Sequence, residues 1–391
     1  MRMSLFAGVV CSLMAGCSDK DGAGDSQASG DAGGSGGGGS ASGWVVSAHP
    51  CAGNRTDALW MDDADRGFVG CGTTTKGLGL FQTTDGGATW SAASSDPAGV
   101  FDSFRVMHLV RAGDGKLYVS GTSTANSARV VSTTGAAGGT LSLDAVFDAG
   151  SKTWNSFSVG SFARTDAGFA IAESATGTGI VYRSGDTGEW RDGSGWWSDY
   201  TSFGFQVLDM VEDDGSIYGC GSTISQPPVV FVPGKGEGIA WQAVQLAEGA
   251  GEYNGELWDI DASGGKLVVG GVNQDRDVGM VYVSGSNPAD PSDWAAVDAS
   301  SWWADDATWI RGVCRTASTI LAVGELSARS QGLLLRSDDG GATWSNQTDV
   351  LTKAAKAAGL SALPPLHRCQ ITDGGRVVVA GADGLFARLD P

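Results

Sequence analysis

The chain has 391 residues, of which 62 are glycine and only 10 proline, and no Gly-X-Y period runs through it, so a collagen-like chain is excluded. Hydrophobic residues make up 41%, with 14 Trp and 13 Phe, too many large apolar groups for a wholly disordered chain. A net charge of -19 and a pI near 4.4 exclude a nucleic-acid binder, which needs a basic face.

Residues 1–16 carry Arg2 and a short apolar run from Leu5 to Leu13, then the small residues Ala15 and Gly16 before Cys17. This order is that of a secretory signal peptide. The run Met14-Ala15-Gly16-Cys17 resembles the lipobox of bacterial lipoproteins. The resemblance implies cleavage before Cys17, a diacylglycerol on its thiol, and a membrane partner reached through that lipid. Ser18 stands where an inner-membrane retention signal would place Asp, which implies the outer membrane or cell surface of a two-membrane host. Residues 17–43 are mostly Gly, Ser, Ala and Asp and form a flexible tether. Setting aside the tether's four Asp and one Lys, and Arg2, residues 44–391 keep -17 of the charge, so this part is acidic in its own right.

From Trp44 onward one pattern recurs: an apolar triplet after a tight turn, closing on Gly. The closing positions are Gly72, Gly121, Glu173 (in the Gly place), Gly221, Gly271, Gly324 and Gly381, at intervals of 49, 52, 48, 50, 53 and 57. Asp114-Gly115, Asp214-Gly215 and Asp373-Gly374 are hairpin turns before three of these triplets. Each unit offers four short strands, in the sixth Trp309–Val313, Ile320–Gly324, Leu333–Arg336 and Thr343–Ser345, and no unit shows a long helical period. Four strands at this period predict an all-β fold, a seven-bladed β-propeller over residues 44–391. The outermost strands carry Trp90, Trp190, Trp241, Trp294 and Trp344, with Phe147 in the second unit. The last unit has three strands. The segment from Gly43 to Ser47, with Trp44, supplies the fourth and closes the ring, removing two sheet edges.

Two turns are near copies: Thr83-Thr84-Asp85-Gly86-Gly87-Ala88-Thr89-Trp90 and Ser337-Asp338-Asp339-Gly340-Gly341-Ala342-Thr343-Trp344. They resemble the bacterial neuraminidase repeat, or Asp-box, of sialidases, other glycosidases, sortilin-type receptors and photosystem II assembly factors. The resemblance implies a propeller of the sialidase-like superfamily, with Asp85, Trp90, Asp339 and Trp344 structural and on the rim opposite the active face. A sialidase would also need a Phe- or Tyr-Arg-Ile-Pro segment, absent here, and an identifiable Tyr nucleophile motif, which the 6 Tyr do not provide. The expectation is therefore a binding or scaffold module for a glycan or peptide, with no catalytic residue assigned. Two alternatives stand beside it: a sialidase-like glycoside hydrolase, and an assembly factor recognising a peptide tail.

The ligand-binding candidates are Arg105, Arg311 and Arg368 on inner strands, and the tryptophan pairs Trp196-Trp197 and Trp302-Trp303 on loops between units. Guanidinium groups hold carboxylates, and indole faces stack on sugars or apolar peptide groups. Arg311 and Arg368 each lie 13 residues before their closing Gly, which predicts similar depth on adjacent strands. The competing reading pairs these arginines with acids such as Asp209 and Asp259, and lets the tryptophans plug the seams between units. The stretch from Asn273 to Gly279 has alternating oxygens, but its Gly is one place late for an EF-hand loop. His49, His108 and His367 share no ligand spacing, so no metal and no cofactor are expected. Beyond Cys17 five cysteines remain. Cys51–Cys71 and Cys314–Cys369 are plausible pairs that leave Cys220 over, although spacing alone does not fix connectivity. A monomer is expected.

Overall fold

The computed structural model describes residues 43–51, 55–72, 77–93, 104–123, 129–139, 141, 144–148, 159–168, 170–174, 180–185, 188–192, 205–223, 228–234, 241–246, 254–304 and 306–391. The signal, most of the tether, Trp196 and Trp197 lie outside these residues. The described chain is mostly β, built from consecutive four-stranded antiparallel meanders. The inner strands, in chain order, are Thr56–Met61, Phe104–Arg111, Val159–Arg164, Phe205–Asp213, Gly255–Ser263, Thr308–Arg315 and Leu366–Ile371. Each is followed outward by the next strands of its unit. The fourth and fifth units share one sheet through a single pair, Ser222 with Glu256. In the last unit the outer strand is Trp44–Ala48, antiparallel to Leu385–Leu389 with Trp44 opposite Leu389.

Apolar clusters lie between consecutive units. Val268, Val281, Ile310 and Leu333 fill the space between the fifth and sixth. Val378, Ala380 and Phe386 of the last unit pack with Leu59, Met61 and Val69 of the first. Burying both faces of each sheet in this way removes apolar area from water at about 25 cal/mol per Å². Two disulfides reinforce the arrangement: Cys51–Cys71 ties the N-terminal segment to the first unit, and Cys314–Cys369 joins the inner strands of the sixth and last. Cys220 is free and buried.

In the first, fourth and sixth units, side chains of the preceding unit accept from backbone N–H groups on the free edge of the inner strand. Asp259 accepts from the Val313 N–H at 2.7 Å and Asp261 from the Arg315 N–H at 2.7 Å. Ser161 accepts from the Met210 N–H at 3.1 Å, and Gln370 from the Met61 N–H at 2.6 Å. These contacts meet the requirement that buried backbone donors be paired.

A ten-residue helix, Thr348–Ala357, departs from the all-strand expectation. Leu351, Ala354 and Ala355 face the core at helical spacing, in the connection that stretches the last repeat interval to 57. A stripe of alanines carries little hydrophobicity, which hides its period in the sequence.

The two copied turns have the expected local chemistry. Asp85 accepts from the Thr89 N–H and hydroxyl at 2.9 and 2.6 Å, and from the Thr83 hydroxyl at 2.9 Å. Asp339 does the same with Thr343 and Ser337. Bonds from Thr343 and Ser337 hold the Asp339 carboxyl at about 2. Trp90 and Trp344 donate to Gly87 O and Gly341 O. Gly86 N–H bonds Asp65 O and Gly340 N–H bonds Ser318 O, so both turns sit on the face of the first-to-second-strand hairpins.

Candidate functional site

Every inner strand carries a β-bulge near its N-terminal half. Bulges re-aim side chains and sharpen the twist. In the sixth unit Ile310 pairs with Gly324 and Gly312 with Val323, so Arg311 is the bulged residue. In the last unit Leu366 pairs with Gly381 and Arg368 with Ala380, so the bulged residue is His367. The equal count of 13 thus conceals an offset of one residue. Its cause is the hairpin: Arg315 pairs with Ile320, but Ile371 pairs with Val377, one residue further on.

At the N-terminal ends of these strands Arg55, Arg105, Arg311 and Arg368 gather near Asp57. Arg105 clamps Asp57 with two bonds of 2.6 and 3.0 Å, and Arg55 reaches it at 2.9 Å. Arg368 donates to Asp57 O at 2.7 Å, to Arg311 O at 3.1 Å and to Asp259 at 2.9 Å. Burial would raise the Asp57 carboxyl, but Arg55 and Arg105 outweigh it and hold it below the usual range. Burial lowers the Arg55 guanidinium, and Arg311, Arg368 and Arg105 add repulsion against the pull of Asp57.

Arg311 lies between two indoles, 4.3 Å from the Trp258 ring centre and 4.4 Å from that of Trp309. Its edge bonds Glu325 at 2.7–2.8 Å. Cation–π contact of this kind fixes a guanidinium in place. Trp258 was not among the candidates, yet it lies 13 residues before Gly271 and is itself a bulged residue, in the position Arg311 occupies one unit later. The count that singles out Arg311 could have found it.

Trp302 and Trp303 follow a short 3-10 turn over Ala299–Ser301, and both N–H groups donate to Ala299 O. Their rings are 6.4 Å apart, tilted by 55°, and half-buried against the core between the fifth and sixth units. In the loop after Asn273, Asp275 accepts from Asn254 and Arg276 pairs with Asp298. No group of metal-binding side chains occurs among the described residues.

Below the arginines runs a cavity of about 400 Å³ lined by inner-strand residues, among them His108, Asp209, Asp259 and Arg315. His108 stands 3.8 Å from Asp209, and burial lowers its basicity. Burial and the neighbouring Asp209 push the Asp259 carboxyl well up, against the pull of Arg368. Burial raises Asp261 to about 7, although its oxygens accept two backbone N–H groups.

Neither a family model nor a curated protein sequence matches the chain. Solved structures do. YCF48 bound to D1 peptide is similar over 89% of this chain and 97% of that chain, at TM-score 0.59 and 15% identity. YCF48 from Cyanidioschyzon merolae is similar over 89% and 99%, at 0.59 and 16%. A GH74 xyloglucanase from Xanthomonas campestris is similar over 89% of this chain and 54% of that chain, at 0.53 and 14%. At these identities the likeness shows the fold, a β-propeller.

Proposed function

We propose that the chain is an exported, lipid-anchored binding module, a seven-bladed propeller that captures a carboxylate-bearing peptide at the arginine mouth. The observation that carries this reading is the gathering of Arg55, Arg105, Arg311 and Arg368 at the N-terminal ends of the inner strands in a strongly acidic protein. Guanidiniums that repel one another favour an incoming carboxylate. The indoles of Trp258 and Trp309 beside them offer apolar stacking surface. A similar propeller, YCF48, has been solved with a peptide bound, which supports a peptide partner.

The proposed ring uses Trp44–Ala48 as the last strand of the last blade, and its pairing with Leu385–Leu389 supports that closure. Residues 1–16 serve as the export signal, Cys17 as the lipid attachment point and residues 17–43 as the tether. The proposed location is the outer membrane or cell surface. The two Asp turns are Asp-boxes with a structural role on the opposite rim.

Selection from random peptides with free or amidated C-termini tests the reading. Free-carboxylate peptides should be enriched by the parent protein, and Arg311→Gln should abolish the enrichment. Equal enrichment of amidated peptides, or none of either kind, rejects it.

A further inference from the structure

The cavity has a mouth at the C-terminal ends of the inner strands, on the face that carries the Asp turns. Arg315 is the last residue of its inner strand and is 5% exposed. Its guanidinium makes no hydrogen bond or ion pair among the described residues, and Nε and Nη1 are buried without a partner. A buried donor left unbonded costs about 1–3 kcal/mol, so an unpartnered arginine here is not explained by stability. The arginines at the other mouth are each paired with carboxylates.

The surroundings of Arg315 restrict what it can hold. Arg315, Ala262, Thr372 and Asp373 line both the channel cavity and an adjoining cleft of about 420 Å³, which also includes Asp213. Asp213 and Asp261 pull on the Arg315 charge without contacting it. A bare dianion would be repelled by Asp213 and Asp373. A lone monocarboxylate would satisfy Arg315 but leave those two acids without a counter-charge. A small zwitterion answers both demands.

We infer that this mouth binds an α-amino-acid-like zwitterion, with its carboxylate on Arg315 and its ammonium against Asp213 and Asp373. The hydroxyls of Thr372 and Ser263 at the rim are within the same cleft and suit a polar ligand. The site is independent of peptide capture at the arginine mouth, at the opposite ends of the same strands.

Isothermal titration of the purified protein with L-alanine, acetate and ethylammonium as separate probes tests the inference. L-Alanine should bind saturably and at least tenfold more tightly than either single-charge probe. Arg315→Met should weaken L-alanine binding tenfold or more, the scale of one charge-assisted hydrogen bond. Asp373 is exposed, so Asp373→Asn should fold normally and still weaken L-alanine severalfold while leaving acetate unchanged. Absence of saturable L-alanine binding overturns the site. So does acetate binding as tightly as L-alanine, or an affinity untouched by Asp373→Asn. Arg311→Gln should leave L-alanine binding intact, which separates this outcome from failure of the peptide reading.

Discussion

The carbonyl oxygen of Trp309 occupies the space that a Cβ on Gly324 would need, far inside the 3.0 Å that real Cβ contacts respect. The bulge at Arg311 turns that carbonyl onto the neighbouring strand. The same relationship joins Gly271 to Glu256 O, Gly221 to Gln206 O and Gly381 to Pro365 O. The repeated glycine is therefore the complement of a repeated bulge. In the third unit the bulge lies between Val159 and Phe162, and that unit has Glu173 in the glycine place.

Gly324→Ala should force the inner strand of the sixth unit to shift. Overpacking of this kind costs about 1–3 kcal/mol. Urea denaturation should show the loss as a lower midpoint with an unchanged slope. A midpoint equal to that of the parent would show that the bulge is dispensable.

The repeat was legible because turns, triplets and closing glycines recur at a nearly fixed period. The strands follow from it, although Trp90, Trp190 and Trp344 stand one residue before the outer strands Ser91–Ala92, Arg191–Asp192 and Ser345–Asn346 that were expected to carry them. What stayed hidden depends on single-residue offsets. Hairpins of different length shift Arg368 against Arg311. The partners of the arginines also come from strands far away in sequence, as with Arg105 and Asp57 or Arg368 and Asp259. No local pattern encodes such pairs, and Arg315, whose guanidinium pairs with nothing among the described residues, is ordinary in the sequence.

Trp44 is 4% exposed and packs with Leu385 and Ala387 in the core of the last unit. Trp44→Ala should cost about 3–5 kcal/mol, the usual loss for a buried Trp. Deleting 44–47 should also expose the edge of Leu385–Leu389 and promote aggregation. Light scattering during a thermal ramp checks this, and a deletion that melts like the parent would reject ring closure by this strand.

Trp258→Ala removes one wall from Arg311. The cation–π contribution lost is about 0.5–2 kcal/mol, a modest effect on folding. Capture of free-carboxylate peptides should fall much more than stability does, because Arg311 loses its fixed orientation. Binding that weakens only in step with unfolding would assign the stack a purely structural role.

Cys17→Ser should release the protein from membranes into the soluble envelope fraction and remove the lipid mass from its N-terminus. The tether and propeller are left intact by the change, so yield should hold. Membrane retention without lipid on residue 17 would refute the anchor.

His367 offers a test by pH. It is 7% exposed, and burial, helped by the charge of Arg55, lowers its pKa to about 3 from an ordinary 6.5. Above pH 6.5 the imidazole is neutral in both states and its contribution to stability is fully present. As pH falls below 6.5 the unfolded chain takes up the proton first, so stability is lost until the folded pKa is passed. At pH 5 the loss attributable to this group is about 2 kcal/mol, at 1.36 kcal/mol per pH unit. Asp261, raised to about 7, works in the opposite sense, since the folded state holds its proton more tightly as pH falls. The net curve therefore hides both groups, and the variant must be compared with the parent. His367→Gln should shift the stability at pH 5, measured relative to that at pH 7.5, upward by about 2 kcal/mol compared with the parent, read from urea denaturation at each pH. An unchanged difference would mean that the imidazole is not buried in its neutral form.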